Sequence, residues 1–229
     1  MGNLDDLFKS VFTVDNTIFG FDEGDLKLLL IKRGEAPFED RWALPGHFVN
    51  EDENLKGAAQ RVLAELTGIK NVYLEQVRAF GAIDRHPFGR VITIAYFSLI
   101  KISDYKLNAA SFAQKAKWYS IANVKSLPFD HDEILAACFD QLKRRVRIQP
   151  IGFELLPPKF TLTELQHLYE AILETRLDKR NFRKKILSMN LLVDLDETQE
   201  GVAHRPARLY QFDQEKYEKF IAEGFNFEL

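Results

Sequence analysis

The chain has a single cysteine, Cys138, among its 229 residues. That excludes a disulfide within one chain and any zinc site built on several thiolates. Cys138 falls in an apolar helical pattern with Ile134, Leu135, Ala137 and Leu142, which is the place of a core residue. Long hydrophobic runs are also missing. Nowhere are about 18 apolar residues consecutive, so no membrane span and no membrane partner are expected. The opening MGNLDDLFKS lacks the charged-then-apolar layout of a secretory signal, and the expected location is the cytoplasm. Positive charge is not in excess: 31 Lys and Arg face 34 Asp and Glu, a net −3. That average says nothing in favour of nucleic acid, although averages hide local patches. Internal repeats and low-complexity segments are absent. What remains, 46% hydrophobic and 28% charged, is the composition of an ordinary soluble globular protein. The length allows one large domain or two smaller ones.

The most patterned stretch is Leu44–Ile69, LPGHFVNEDENLKGAAQRVLAELTGI. Leu44-Pro45-Gly46 is a turn that a helix cannot cross, since Pro45 lacks an N–H and Gly46 can take positive φ. Asn54 suits an N-cap, followed by Leu55, Ala58, Ala59, Val62, Leu63 and Leu66 at helical spacing. Gly68 stands where a left-handed C-cap would close the helix. A buried amphipathic helix explains the apolar positions but not the polar ones.

The whole pattern resembles a Nudix box, the metal-binding loop-helix of diphosphate hydrolases. The family pattern is Gly, five residues, Glu, seven residues, then Arg-Glu-aliphatic-x-Glu-Glu-x-Gly-aliphatic. Glu53, Arg61, Leu63, Glu65, Gly68 and Ile69 match it. His47 stands in place of the opening Gly, Val62 in place of the Glu after the Arg, and Leu66 in place of the second Glu of the pair. In active members those carboxylates hold divalent cations, and such hard ions need several oxygen ligands. A turn offering Glu65 between Val62 and Leu66 supplies too few. The expectation is a degenerate box (Glu53, Arg61, Val62, Glu65, Leu66) with no catalytic residues, no metal, no cofactor and no enzyme activity. The alternative is a hydrolase of nucleoside diphosphate derivatives working through Glu53, Arg61 and Glu65.

Around the box, Val11–Phe21 and Leu26–Ile31 read as a β-hairpin, and Val72–Phe80, Val91–Ile100 and Lys117–Tyr119 as further strands. The run LLLIKR followed by W-x-LPG resembles what precedes the box in Nudix proteins. There the basic pair and the Trp line the pocket, which makes Arg33 and Trp42 effector-binding candidates. A solvated strand end and a core aromatic are the plainer readings. The turn GAIDRHPFGR gathers Asp84, Arg85, His86 and Arg90. Arg presents a planar fork of donors suited to phosphates or polyhydroxyl ligands. An exposed charged tip is the plainer alternative. Asp130-His131-Asp132 opens a helix running to about Arg147, whose basic end the helix dipole favours without any ligand.

Gln149-Pro150-Ile151-Gly152 is the expected domain boundary, giving units 1–149 and 150–229. Beyond it, Thr161 opens a helix whose apolar face carries Leu165, Leu168, Tyr169, Ile172 and Leu173. After a short connection, Asp178 caps a second helix with Phe182, Ile186 and Met189 at helical spacing. Two helices so joined fit a helix-turn-helix. Strands at Leu191–Asp194 and Arg208–Phe212 would then flank a wing, LDETQEGVAHRPA. The second helix carries Lys179, Arg180, Asn181, Arg183, Lys184 and Lys185, with one acid, Asp178, at its cap. Arg and Asn suit bidentate contacts with guanine and adenine, and Lys and Arg anchor phosphates. Arg205 and Arg208, with His204 beside them, would reach the DNA backbone or minor groove. A basic solvated face, or a winged helix used for protein contacts, is the plainer reading.

A degenerate Nudix domain followed by a winged helix resembles the Nudix-related transcriptional regulators of the NrtR family, from about Val11 to Tyr217. The resemblance implies an α/β (α+β) chain: a Nudix α/β/α sandwich that binds effector and dimerises, then a winged helix-turn-helix that binds double-stranded operator DNA. Within the family, the segments RVLAELTG, YEAI and DKRNFRK look closest to the arabinose-utilisation regulators. That implies a repressor of sugar catabolism with a pentose in its pocket. The alternative is the NAD-metabolism branch, whose effector is ADP-ribose. The effector-binding candidates are Arg33, Trp42, His47, Asp84, Arg85 and Arg90, of which Arg33, Arg85 and Arg90 would serve either ligand. The resemblance also implies a homodimer, whose two-fold symmetry calls for a palindromic operator.

Overall fold

The computed structural model describes residues 11–22, 24–203, 205–225 and 227. His204 lies outside the described residues. The chain divides into two compact units: Lys27–Gln141 with the first strand as far as Gly20, and Leu142 onward with Phe21–Leu26. The division falls inside one helix, and the boundary expected after residue 149 lies just past that helix's last residue, Ile148.

The first unit is built on a seven-stranded sheet. Its strands are β1 (Val11–Asp22), β2 (Asp25–Arg33), β3 (Trp42–Ala43), β4 (Gly46–Phe48), β5 (Glu75–Phe80), β6 (Val91–Lys101) and β7 (Ala113–Ser120). The order is β3-β2-β1-β6-β5, with β4 on β1 and β7 on β2. β1 is central, and its run from Val14 to Gly20 is buried throughout because both faces are covered. Alternate residues face opposite layers. Val14 and Ile18 join Leu29, Ile31, Ile94 and Tyr96 against the apolar stripe of helix α1 (Leu55–Thr67). On the other face Phe19 meets Phe139 of helix α2 (His131–Ile148), with ring centroids 5.9 Å apart. Helix, sheet and helix thus form the expected sandwich.

The local signals work as the residue chemistry predicts. The Asn54 side chain accepts from Gly57 N at 2.8 Å to start α1, and Gly68 ends it at φ +80°. The loop expected between β2 and the box holds two short strands as well, because Trp42–Ala43 pairs with β2 and Gly46–Phe48 with β1. β7 is longer than the three residues expected, pairing with β2 from Lys27 to Arg33.

In the second unit, α3 (Leu162–Leu173) and α4 (Lys179–Ser188) are joined by a short turn. Thr161 and Glu164 form a reciprocal capping box on α3, and the Asp178 carboxylate accepts from Asn181 N at 2.8 Å on α4. Strands β8 (Leu192–Thr198) and β9 (Arg208–Phe212) form an antiparallel hairpin, and Phe160 bridges to Tyr210 beside it. β8 continues past Asp194, so the acidic half of the expected wing loop is strand. A further helix, α5 (Gln214–Ala222), capped by Asp213, has no counterpart among the elements expected from the sequence. Among the described residues no helix is long and apolar enough to cross a membrane.

Candidate functional site

Two arrangements hold chemistry, one in each unit. In the first, strands and loops converge on a cavity of about 170 Å³. β1 contributes Thr13 and Asp15, the end of β2 Arg33, β4 His47, the β5–β6 loop Arg85 and His86, and the chain before β7 Phe112. The start of α2 brings Phe129 and His131. Gly46 is pinned by register: it pairs with Asp15, and a Cβ there would stand 1.9 Å from Asp15 Oδ1.

A buried polar network forms the cavity floor. Arg85 grips Asp130 with a two-pronged contact, Nε to Oδ2 at 2.8 Å and Nη2 to Oδ1 at 2.7 Å. Its Nη2 also lies 3.5 Å from Asp15 Oδ2. Asp15 further accepts from Thr93 Oγ1 at 2.7 Å and faces His131 Nε2 at 3.3 Å. His131 Nδ1 accepts the Leu44 N–H at 3.1 Å, so the ring proton sits on Nε2, toward Asp15. Burial pushes the Asp15 carboxyl up, but His131, Thr93 and Arg85 together outweigh it and hold it below the ordinary value of 3.8. The Asp130-His131-Asp132 run is therefore more than a helix cap: the Asp130 carboxylate serves Arg85.

Aromatic faces form the walls. His47 stacks on Phe112 at 5.1 Å and His86 on Phe129 at 5.3 Å. The Arg33 guanidinium carbon lies 5.3 Å from the Phe112 centroid and 5.2 Å from that of Phe129. Burial lowers the basicity of Arg33, opposed by Asp15 and Glu35, and the guanidinium stays cationic. Burial, then Arg61, lowers His47; burial, then Arg85 and Arg33, lowers His86, so both rings are neutral at pH 7. The cavity offers the Arg33 cation and flat neutral π faces side by side.

Of the six effector candidates, Arg33, His47 and Arg85 line this cavity together. Trp42 does not. It packs edge-on to Tyr119 at 5.0 Å and borders a separate hollow with Asp40, Arg41 and Lys125. Asp84 lines an open depression that shares only Arg85 and Phe129 with the cavity. Arg90 is exposed and donates to Gly81 O. Asp15, Phe112 and Phe129 are cavity residues that sequence reasoning misses.

In the box, Arg61 Nε donates to Glu53 Oε2 at 2.9 Å and Nη1 to Glu65 Oε2 at 3.0 Å. The hydrogen bond from Arg61 is the main reason Glu53 sits below its ordinary pKa. Val62 and Leu66, at 0% and 1% exposed, point into the core beneath the sheet. Among the described residues, no group of three or more His, Cys, Asp or Glu is placed to hold a metal.

In the second unit, Phe182 and Ile186 bury one face of α4, with Phe182 5.8 Å from Tyr169 of α3. Lys179, Arg180, Asn181, Lys184 and Lys185 lie exposed on the rest of it. Arg183 differs: it is half-buried, and its Nη2 donates to Thr163 Oγ1 at 3.0 Å. It therefore fastens α4 to α3 rather than projecting with the other cations. Arg183→Ala should lower the unfolding free energy by about 1 kcal/mol, the usual net value of one such bond. Urea unfolding checks this, and an unchanged midpoint would show that the contact contributes nothing. On the wing, Arg205 is exposed, while Arg208 Nη1 donates to Asp194 Oδ2 at 2.8 Å.

The sequence matches the NUDIX domain over residues 12–138 and the NrtR DNA-binding winged helix domain over residues 152–212. It is 38% identical over 212 residues to the ADPR responsive transcriptional repressor NtrR of Acinetobacter baylyi, covering 91% of this chain and 84% of that one. It is also 34% identical over 116 residues to the ADP-ribose pyrophosphatase of Methanocaldococcus jannaschii, covering 51% of this chain and 68% of that protein. Among solved structures, Shewanella oneidensis NrtR complexed with a 27mer DNA aligns at a TM-score of 0.72 and 30% identity, covering 88% and 93% of the two chains. The NUDIX domain of that protein complexed with ADP ribose aligns at 0.54 and 29% identity, covering 62% of this chain and 99% of that one.

Proposed function

The chain belongs to the NrtR family of Nudix-domain transcriptional regulators with a winged helix domain, and from that membership we propose that it is an ADP-ribose-responsive repressor acting as a homodimer. Residues 1–149 serve as the effector and dimerisation unit, and 150–229 bind operator DNA.

The observation that carries the choice of effector is the Arg33 guanidinium set beside the stacked rings of the cavity. A nucleotide sugar needs both: a cation for its diphosphate and flat neutral faces for its base. A pentose carries neither an anionic group nor a base. The comparisons lend it no support, and the sugar-catabolism reading gives way to ADP-ribose.

The divalent cation used by active members of the fold does not fit the residues present. Two of the family's carboxylate positions, Val62 and Leu66, are buried apolar side chains, and the two Glu that remain are both bonded to Arg61. The chain binds its effector without turning it over. Binding shifts the protein toward a state that releases DNA, with a coupling free energy of roughly 1–3 kcal/mol between the two sites.

Thermal unfolding with ADP-ribose, arabinose and xylose, each with and without Mg²⁺, tests the effector. ADP-ribose at about 100 times its dissociation constant should stabilise the protein by ~2.7 kcal/mol, with or without the metal. The pentoses should do nothing, and no AMP should appear. A shift with arabinose alone would restore the pentose reading. AMP release at enzyme-like rates would overturn the non-enzymatic one.

A further inference from the structure

We propose that the wing of the winged helix is an electrostatic stand-off: its acidic hairpin holds phosphate away, so operator binding rests on α4 and stays weak enough for the effector to reverse. The inference rests on the DNA-binding reading above. It reverses the expectation that Arg205 and Arg208 grip the DNA backbone.

Charge separates sharply within this unit. α4 carries Lys179, Arg180, Arg183, Lys184 and Lys185 with no acid inside it. The hairpin from Leu192 to Phe212 carries Asp194, Asp196, Glu197 and Glu200 against Arg205 and Arg208. Arg208 is already paired on the hairpin surface, and its partner offsets its charge. It donates to Asp194 at 2.8 Å, which raises its basicity, while the Asp196 N–H and then Arg208 hold the Asp194 carboxyl below its ordinary value. The nearby Lys159 donates to Glu197 Oε1 at 2.8 Å. Asp196 and Glu200, both exposed, carry the charge left over.

The backbone presents these acids on the hairpin. The register slips between Asp194 and Thr198, and Asp196 takes φ +54° within that slip. Asp and Asn tolerate this left-handed conformation better than most residues. A duplex lying on α4 and reaching the wing would bring phosphates against a hairpin whose acids outnumber its Arg residues. Like charges so placed disfavour the approach and confine binding to one helix.

The test uses the full chain and DNA from its own promoter region, with affinity measured over a range of KCl. In the double variant Asp196→Asn, Glu200→Gln, the wing loses its excess charge, while the Arg208–Asp194 and Lys159–Glu197 pairs and the local backbone preference remain. Each further phosphate that the wing engages should tighten binding about 10-fold near 0.1 M salt and steepen the slope of log K against log salt by ~0.9. Arg208→Ala should leave affinity within about twofold in the native and in the neutralised wing alike, because the Asp194 carboxylate that offsets its charge is present in both. Unchanged or weaker binding by the double variant would overturn the stand-off, as would a large loss from Arg208→Ala in the native wing. Wild-type protein with no salt-sensitive DNA binding would instead sink the DNA-binding reading, and the inference with it.

Discussion

Replacing Lys179, Arg180 and Lys184 together with alanine should weaken operator binding by about 10²–10⁴-fold, at ~1–2 kcal/mol for each side chain that reaches a base or phosphate. The three lie exposed on α4, away from the face that Phe182 and Ile186 bury, so their loss should leave the unit folded. Alanine is also the best helix former, so the helix itself is not weakened. The loss should include a shallower salt dependence, by up to ~0.9 for each phosphate no longer neutralised. Gel shift or fluorescence anisotropy at several salt concentrations reads both effects. Full affinity in the triple variant would mean that α4 is not the element that enters the groove. Arg183→Ala is the useful control, because that residue acts on α3 through Thr163.

Arg85→Ala should destabilise the first unit by about 3–5 kcal/mol, the usual cost of removing one partner of a buried ion pair. Arg85 and Asp15 have side chains only 3% and 6% exposed, and Asp130 only 11%. Without the guanidinium, two carboxylates remain close together and poorly hydrated. Asp15 has a depressed folded-state pKa, so its stabilisation is in place above the unfolded value of 3.8 and is lost only as pH falls through the folded value. Measurement at pH 7 therefore reads the full effect. A midpoint drop of roughly 10 °C is expected in thermal unfolding, given ~2–4 °C per kcal/mol for a chain of this size. Arg85→Lys should keep the charge but lose the fork, with a smaller drop. An Arg85→Ala protein as stable as the wild type would remove the network from any structural role.

The same network shows where sequence reasoning reaches and where it stops. The box, its caps at Asn54 and Gly68, and the paired helices capped by Thr161 and Asp178 are legible because their signals are local. Periodicity and capping depend on residues within a turn or two. The cavity floor is not local. Asp15, Arg85 and His131 are far apart in the chain and meet only because β1, the β5–β6 loop and the start of α2 converge. Within β1, the run Asp15-Asn16-Thr17 is the one available hint, three polar residues inside a strand segment that the structure buries completely. Phe112 and Phe129 give no signal at all, since an aromatic beside a strand or helix reads as core.

Arg183 and the wing escape the sequence for a different reason. Composition groups Arg183 with its basic neighbours, although it sits beside Phe182 and one turn before Ile186, at the edge of the buried stripe. In the wing, Arg205 and Arg208 draw attention as cations, while four carboxylates share the same segment. Only the folded hairpin, which closes Asp194 onto Arg208 across the two strands, shows that this cation is already engaged.

The central claim is that one ligand in the first unit controls DNA binding by the second. Its most direct test is a competition: fluorescently labelled promoter DNA bound to the protein, titrated with ADP-ribose and in parallel with arabinose. ADP-ribose should release the DNA, shifting its apparent affinity about 5–150-fold, and arabinose should leave the complex intact. Release by arabinose and none by ADP-ribose would contradict the account.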